Sequence, residues 1–131
     1  MYWYEKDYIM RLIHGIALVL ARMLMGKQED GEAEQIMLQD ESARDREDYL
    51  HRMIDEGRVN EAEEALFDLL ETAAWDDREK AALALSFYDH LNSKDDEFLE
   101  KAKFPREEII RGMEDALRIA HMEIPEYLKI N

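Results

Sequence analysis

The two residues whose types and spacing come nearest to a piece of chemistry are Asp48 and His51. Three positions apart on a helix, they share a face and resemble half of a carboxylate-bridged di-metal site. A complete site takes an acid-x-x-His pair from each of two helices and two further carboxylates. None of His14, His90 or His121 has a carboxylate three residues before it. The ligand set is therefore incomplete, and a surface pair on an acidic helix is the preferred reading. His90 and His121 stand near expected helix ends, where a cationic imidazole is favoured without any catalytic role. Ser42, Ser86 and Ser93 lack a base nearby in sequence. The chain has no glycine-rich phosphate loop, no Gly-x-Ser-x-Gly elbow and no His-Glu-x-x-His run. With 32 acidic residues, pairs of carboxylates arise by chance and carry no information. No catalytic residue, cofactor ligand or metal ligand is assigned.

Charge narrows the partner classes. A formal net charge of −15 argues against nucleic acid, since phosphate neutralisation needs a basic surface. The charge is uneven: Lys6, Arg11, Arg22 and Lys27 against Glu5 and Asp7 give residues 1–27 a net +2, leaving −17 for the remainder. Aromatic Tyr2, Trp3, Tyr4 and Tyr8 precede this mildly basic stretch. They could anchor a membrane interface, but an anchor carries a strongly basic polar face, so packing over a bundle end or across a dimer contact is preferred. The apolar run Ile16–Ala21 is too short to span a bilayer, and Glu5 and Asp7 at the front do not suit a secretory signal. The absence of cysteine excludes disulfides and thiolate ligands and fits a cytoplasmic location. The eight methionines read as core filling.

The elements that must position all of this are helices. Two prolines and five glycines in 131 residues favour helix almost everywhere, and no alternation of strand type is seen. A chain of this length needs no metal or disulfide to fold. It is read as one domain, 1–131, with helices over 5–25, 40–56, 60–74, 77–91, 95–103 and 105–121. In the first, Ile9, Leu12, Ile13, Ile16, Val19, Leu20, Met23 and Leu24 form a face wide enough for a central helix. Asp7 is placed to pair with Arg11, and Gly26 stops the helix. Lys27–Gln35 reads as a connector and Ile36-Met37-Leu38 as a short docked patch. The charged half of the second helix, Ser42–Asp48, is expected to be solvated. Asn60 with Glu63, and Asp76 with Glu79, give the spacing of capping boxes. The run Ala81–Leu91 is apolar on nearly all sides and should be deeply buried. Pro105 suits the first turn of the last helix.

The stretch LHRMIDEGRVNEAEEALFDLL, Leu50 to Leu70, resembles a helix–turn–helix of the tetratricopeptide type. Gly57 stands at the turn, and Ala62 and Leu66 occupy the packing positions of the second helix. Arg46 and Leu50 replace the tryptophan and small glycine of that repeat, and no second copy follows at its period. The opening MYWYEKDYIMRLIHGIALVLARMLMGK resembles the start of an uncharacterised family of short all-helical proteins from Gram-positive bacteria. That resemblance implies a tetratricopeptide-like helical fold and no activity or site residues.

The expected fold is thus all-α, with five or six helices packed as antiparallel hairpins around the first and fourth. The leading functional reading is a non-catalytic protein-interaction or regulatory module. Its alternatives are an enzyme or metal-binding bundle around Asp48 and His51, and an acidic mimic of nucleic acid. The wide apolar face of the first helix adds a possible homodimer, with Ile9, Leu12, Ile16 and Val19 on one flank and Ile13, Leu20 and Leu24 on the next. The tail, Tyr127 to Ile130, is the competing cover for that face.

Overall fold

A computed structural model describes residues 2–25 and 38–126, with side chains over 8–24 and 38–126. The described residues form six helices and no strand: α1 (Tyr2–Met25), α2 (Glu41–Asp55), α3 (Val59–Thr72), α4 (Asp77–Asn92), α5 (Asp96–Lys101) and α6 (Arg106–Ile119). The protein is all-α. The Asp7–Arg11 pair, the Tyr2, Trp3 and Tyr4 side chains, the stretch Gly26–Met37 and the tail Tyr127–Ile130 lie outside what is described.

The hub is α4, which packs on α1, α2 and α6. Its residues Ala81–Tyr88 are all buried, because apolar or small side chains on every side leave no face that prefers water. Tyr88 and Phe87 meet edge to face, with centroids 4.8 Å apart. Pairings along α4 fix the directions of its neighbours. Asp89 meets His14 and Asn92 meets Met10, so α1 runs antiparallel to it. Asp77 meets His121 beyond the end of α6, and Asn92 meets Arg106 at its start, so α6 is antiparallel as well. Glu47 meets Ser86 and Asp55 meets Lys94, so α2 runs parallel.

The first helix is not the centre that its wide apolar face suggested. Ile13, Ile16, Ala17, Leu20 and Ala21 are buried, on the side facing α4 and α6. Leu12 and Val19 are only half-buried, and Tyr8 and Met23 are 55% and 56% exposed. The helix offers one apolar face to two neighbours, and the flank of Ile9, Leu12 and Val19 is left partly open.

Helix ends follow local chemistry in part. The Asp40 side chain caps α2 by accepting from the Ser42 and Ala43 amides, and Asp95 does the same for Phe98 in α5. Gly57 closes α2 with φ +86°, a left-handed conformation that favours glycine. The capping box expected at Asn60 and Glu63 does not form. The third helix starts one residue earlier, at Val59, with no side-chain cap; Asn60 Nδ2 instead donates to Ala102 O, and Glu63 accepts from the Tyr88 hydroxyl at 2.7 Å. At α4 the box is half made. Asp76 accepts from the Glu79 amide, but the buried Glu79 carboxylate takes the Gln39 and Asp40 amides and binds the segment before α2 to α4. The charged half of α2 is not wholly solvated either: Ala43 is buried and Glu47 half-buried.

Two buried polar groups join the lower ends of α1, α4 and α6. Asn92 Nδ2 donates to Met10 O at 2.8 Å. The Arg106 guanidinium, 7% exposed, donates to Asn92 O, Asn92 Oδ1, Lys94 O and Asp96 Oδ1. Arginine here satisfies carbonyls that the end of α4 leaves without helical donors.

Candidate functional site

Two features could do more than hold the fold. The first is a polar ladder between α2 and α4. Glu47, His51 and Asp55 stand four residues apart and so form a row along α2; Ser86, His90 and Lys94 form the matching row on α4 and the turn after it. Because the two helices run in the same direction, the rows meet rung by rung. The Ser86 hydroxyl donates to Glu47, and His51 Nε2 lies 3.1 Å from Ser86 Oγ. The His51 and His90 rings stack with centroids 4.1 Å apart and planes within 5°. His90 Nε2 reaches Asp55 Oδ1 at 2.8 Å, and Lys94 Nζ reaches the same oxygen at 2.6 Å.

Electrostatics set the protonation along the ladder. Burial, together with the neighbouring His90, pushes His51 down to about 4, so its ring is neutral at pH 7. Burial also holds Glu47 above the usual carboxylate range, partly offset by the Ser86 hydroxyl. Asp55 is held low, first by Lys94 and then by His90. Since the Ser86 proton goes to Glu47, a neutral His51 satisfies Ser86 Oγ by donating from Nε2. The order is acid–serine–histidine. Nucleophilic catalysis needs serine–histidine–acid, with an unprotonated ring nitrogen facing the hydroxyl and the acid behind the ring. Ser86 is moreover only 6% exposed. In this state the ladder binds two helices and leaves no activated nucleophile.

The structure separates Asp48 from His51. His51 turns inward to Ser86, Asp48 stays exposed, and no hydrogen bond or ion pair joins them among the described residues. Among those residues no group of three or more histidines and carboxylates is arranged to hold a metal ion. His14 pairs with Asp89 at 2.8 Å and His121 with Asp77 at 3.0 Å, both on the surface. Sequence reasoning set Ser86 aside because its partners stand 35 and 39 residues away. The one signal that could have found them was the matched four-residue spacing of 47, 51, 55 and 86, 90, 94.

The second feature is the outer face of α1. Tyr8, Leu12, Gly15, Val19 and Met23 follow one another along about four turns of one side, and none carries a charge in a chain of −15. No described helix is long and apolar enough to cross a membrane. Flanked by exposed Arg11 and Arg22, this apolar stripe is a candidate contact surface.

Comparison with known proteins agrees with a chain whose chemistry is not marked by familiar motifs. No curated protein and no solved structure matches it. A family model does match, over residues 3–121, from the first turn of α1 to just past α6. The chain belongs to that family, DUF6483, a family of unknown function.

Proposed function

We propose that this protein is a non-catalytic helical interaction module that binds through the outer face of α1. The observation that carries the reading is the exposure of Tyr8 and Met23 at either end of an uncharged apolar stripe. Burying large apolar side chains stabilises a contact by about 1.5–3 kcal/mol each, and the fold leaves these two unused. The wiring of the ladder supports the same reading over an enzyme or metal site at Asp48 and His51, because its proton donors and acceptors are spent on each other. The tetratricopeptide-like hairpin over Leu50–Leu70 belongs to the proposal, as does a cytoplasmic location, for which the support is a cysteine-free composition.

A nucleic-acid mimic is the second reading, supported by the carboxylates of Glu63, Glu64, Asp68 and Glu71 around one surface hollow on α3. One capture experiment addresses both. Wild-type protein and the double variant Val19→Glu/Met23→Glu are used as bait in a lysate of the native cell. The α1 reading expects a partner that the variant loses and that survives elution at high salt. A mimic expects a basic partner held equally by both baits and released by moderate salt, because screening acts on exposed charges. Identical, salt-resistant capture by both baits would overturn the α1 reading.

A further inference from the structure

We propose that the cleft where α1, α5 and the start of α6 meet binds a small zwitterion with an apolar body, of the class of free leucine or phenylalanine. This site is separate from the outer face of α1, and neither reading depends on the other.

A cavity of about 340 Å³ lies between Ile9 of α1, Leu99 of α5, and Phe104 and Pro105 in the turn that leads into α6. Small-molecule sites occupy roughly 300–1,000 Å³ and are lined mainly by apolar side chains with a few polar groups among them. A hollow at the lower end of that range suits a ligand the size of one amino acid. Its walls are held in place. Leu99 and Phe104 belong to the core, and the guanidinium of Arg106, which also lines the cleft, is tied to Asn92 O, Asn92 Oδ1, Lys94 O and Asp96 Oδ1. Filling a preformed hollow loses little ordering entropy.

The charges at the mouth select the occupant. Lys103, Glu100 and Glu107 all line the cleft, and Lys103 stands three residues from one carboxylate and four from the other. Even so, it pairs with neither of them, nor with any other described residue. Asp96 alone among the acids here is spent, on Arg106. One cation and two carboxylates thus face a single apolar hollow without neutralising one another. A ligand carrying only a carboxylate would meet Glu100 and Glu107 as like charges, and one carrying only an amine would meet Lys103 in the same way. A zwitterion satisfies both signs, with its side chain against Ile9, Leu99 and Phe104. Its carboxylate belongs beside Lys103, where the first turn of α6 has no side-chain cap and helix amides favour negative charge.

The backbone at Lys103 supports the same assignment. Helices α2 and α5 end in the same turn: Gly57 N donates to Ile54 O and Arg58 N to Met53 O in one, Lys103 N to Glu100 O and Phe104 N to Leu99 O in the other. The turn residue takes a positive φ, 86° at Gly57 and 58° at Lys103, a conformation that favours glycine. His121 is the other non-glycine case, and its side chain pairs with Asp77. Lys103 has no protein partner among the described residues to set against the disfavoured backbone. Strain of this kind gathers at residues that clamp ligands.

Nuclear magnetic resonance titration of the isotope-labelled full chain with L-leucine and L-phenylalanine tests the site. Three control ligands each lack one part: hydrocinnamate the ammonium, phenethylamine the carboxylate, and glycine the apolar body. Both amino acids should give saturable shifts centred on the amides of residues 99–107, with Kd on the order of 0.1–1 mM. Each control should bind roughly tenfold more weakly. Lys103→Gly removes the cation and relieves the backbone, so affinity should fall roughly tenfold while the melting temperature holds or rises. A merely structural lysine would give the second effect without the first. Glu100→Gln/Glu107→Gln should weaken both amino acids and strengthen hydrocinnamate. The proposal is overturned by the absence of saturable shifts at about 10 mM of either amino acid, or by shifts centred away from this cleft. Unchanged affinity in Lys103→Gly overturns it too, as does a control that binds as tightly as the amino acids.

Discussion

The same substitution, glycine to alanine, should have opposite effects at two helical positions of this protein. Within a helix, alanine is favoured over glycine by about 1 kcal/mol. At Gly15 nothing described lies within 4 Å of the new methyl group, so the whole gain is realised. Melting should rise by roughly 3–5 °C for a chain of this size. At Gly112 the methyl carbon would stand 2.6 Å from Glu63 Oε2, 2.7 Å from the Tyr88 hydroxyl and 2.9 Å from Tyr88 Cε1. The Glu63 carboxylate is the end of a flexible chain and can retreat. Tyr88 cannot, being fully buried with Phe87 against its ring. Overpacking costs about 1–3 kcal/mol, and parting Tyr88 from Glu63 leaves a buried hydroxyl unpaired for about 1–3 kcal/mol more. After the helix gain is subtracted, Gly112→Ala should lose about 1–5 kcal/mol. Urea unfolding measures both. Tyr88→Phe removes the 2.7 Å contact but not the ring, so a double-mutant cycle with Gly112→Ala should show coupling of about 1 kcal/mol. Equal stabilisation by Gly15→Ala and Gly112→Ala, or no coupling to Tyr88, would refute the reasoning.

Two further outcomes follow from buried groups. Arg106→Met strips donors from Asn92 O, Asn92 Oδ1 and Lys94 O and should cost about 3–5 kcal/mol; Arg106→Lys, which keeps the charge without the planar fork, should recover only part. A shift of the urea midpoint at unchanged m value is the check. For His51 the folded pKa of about 4 lies below the ordinary 6.5, so the unfolded chain binds the proton first as pH falls. Its contribution is present above pH 6.5 and lost between there and pH 4. The full shift would be worth about 3 kcal/mol, and partial exposure reduces that to about 1–2 kcal/mol. Glu47, held high by burial, titrates with the opposite sign. The measurement is therefore the difference from His51→Gln, whose amide still donates to Ser86. Parallel pH–stability curves for the two proteins would count against the neutral buried ring.

What was legible in the sequence was whatever depends on near neighbours. Helical periodicity, the glycine at the Gly57 turn and the cap at Asp76 all rest on contacts within a turn. Asn60 and Glu63 misled because a side chain that suits a local cap goes elsewhere when a distant group needs it more: the Ala102 carbonyl and the buried Tyr88 hydroxyl drew them away. The apolar width of the first helix was visible. Which flank lies outside was not, since only the placement of α4 and α6 makes Ile16 buried and leaves Val19 half-open. The Glu47–Ser86–His51 contacts join α2 to α4 across the whole of α3, and no local rule reaches that far.

The parallel ladder between α2 and α4 has a consequence for how firmly the two helices are set along each other. Apolar faces of helices offer nearly equivalent grooves one turn apart, so burial alone discriminates weakly against a slide of about 5.4 Å. The six polar groups do not tolerate that slide. Moved one rung, Glu47 would meet His90 and His51 would meet the Lys94 ammonium, while Asp55 and Ser86 would each lose both partners. Each rung differs from the next, as the teeth of a key do, and the core settles into one frame because the other frames leave charges and a hydroxyl unmatched.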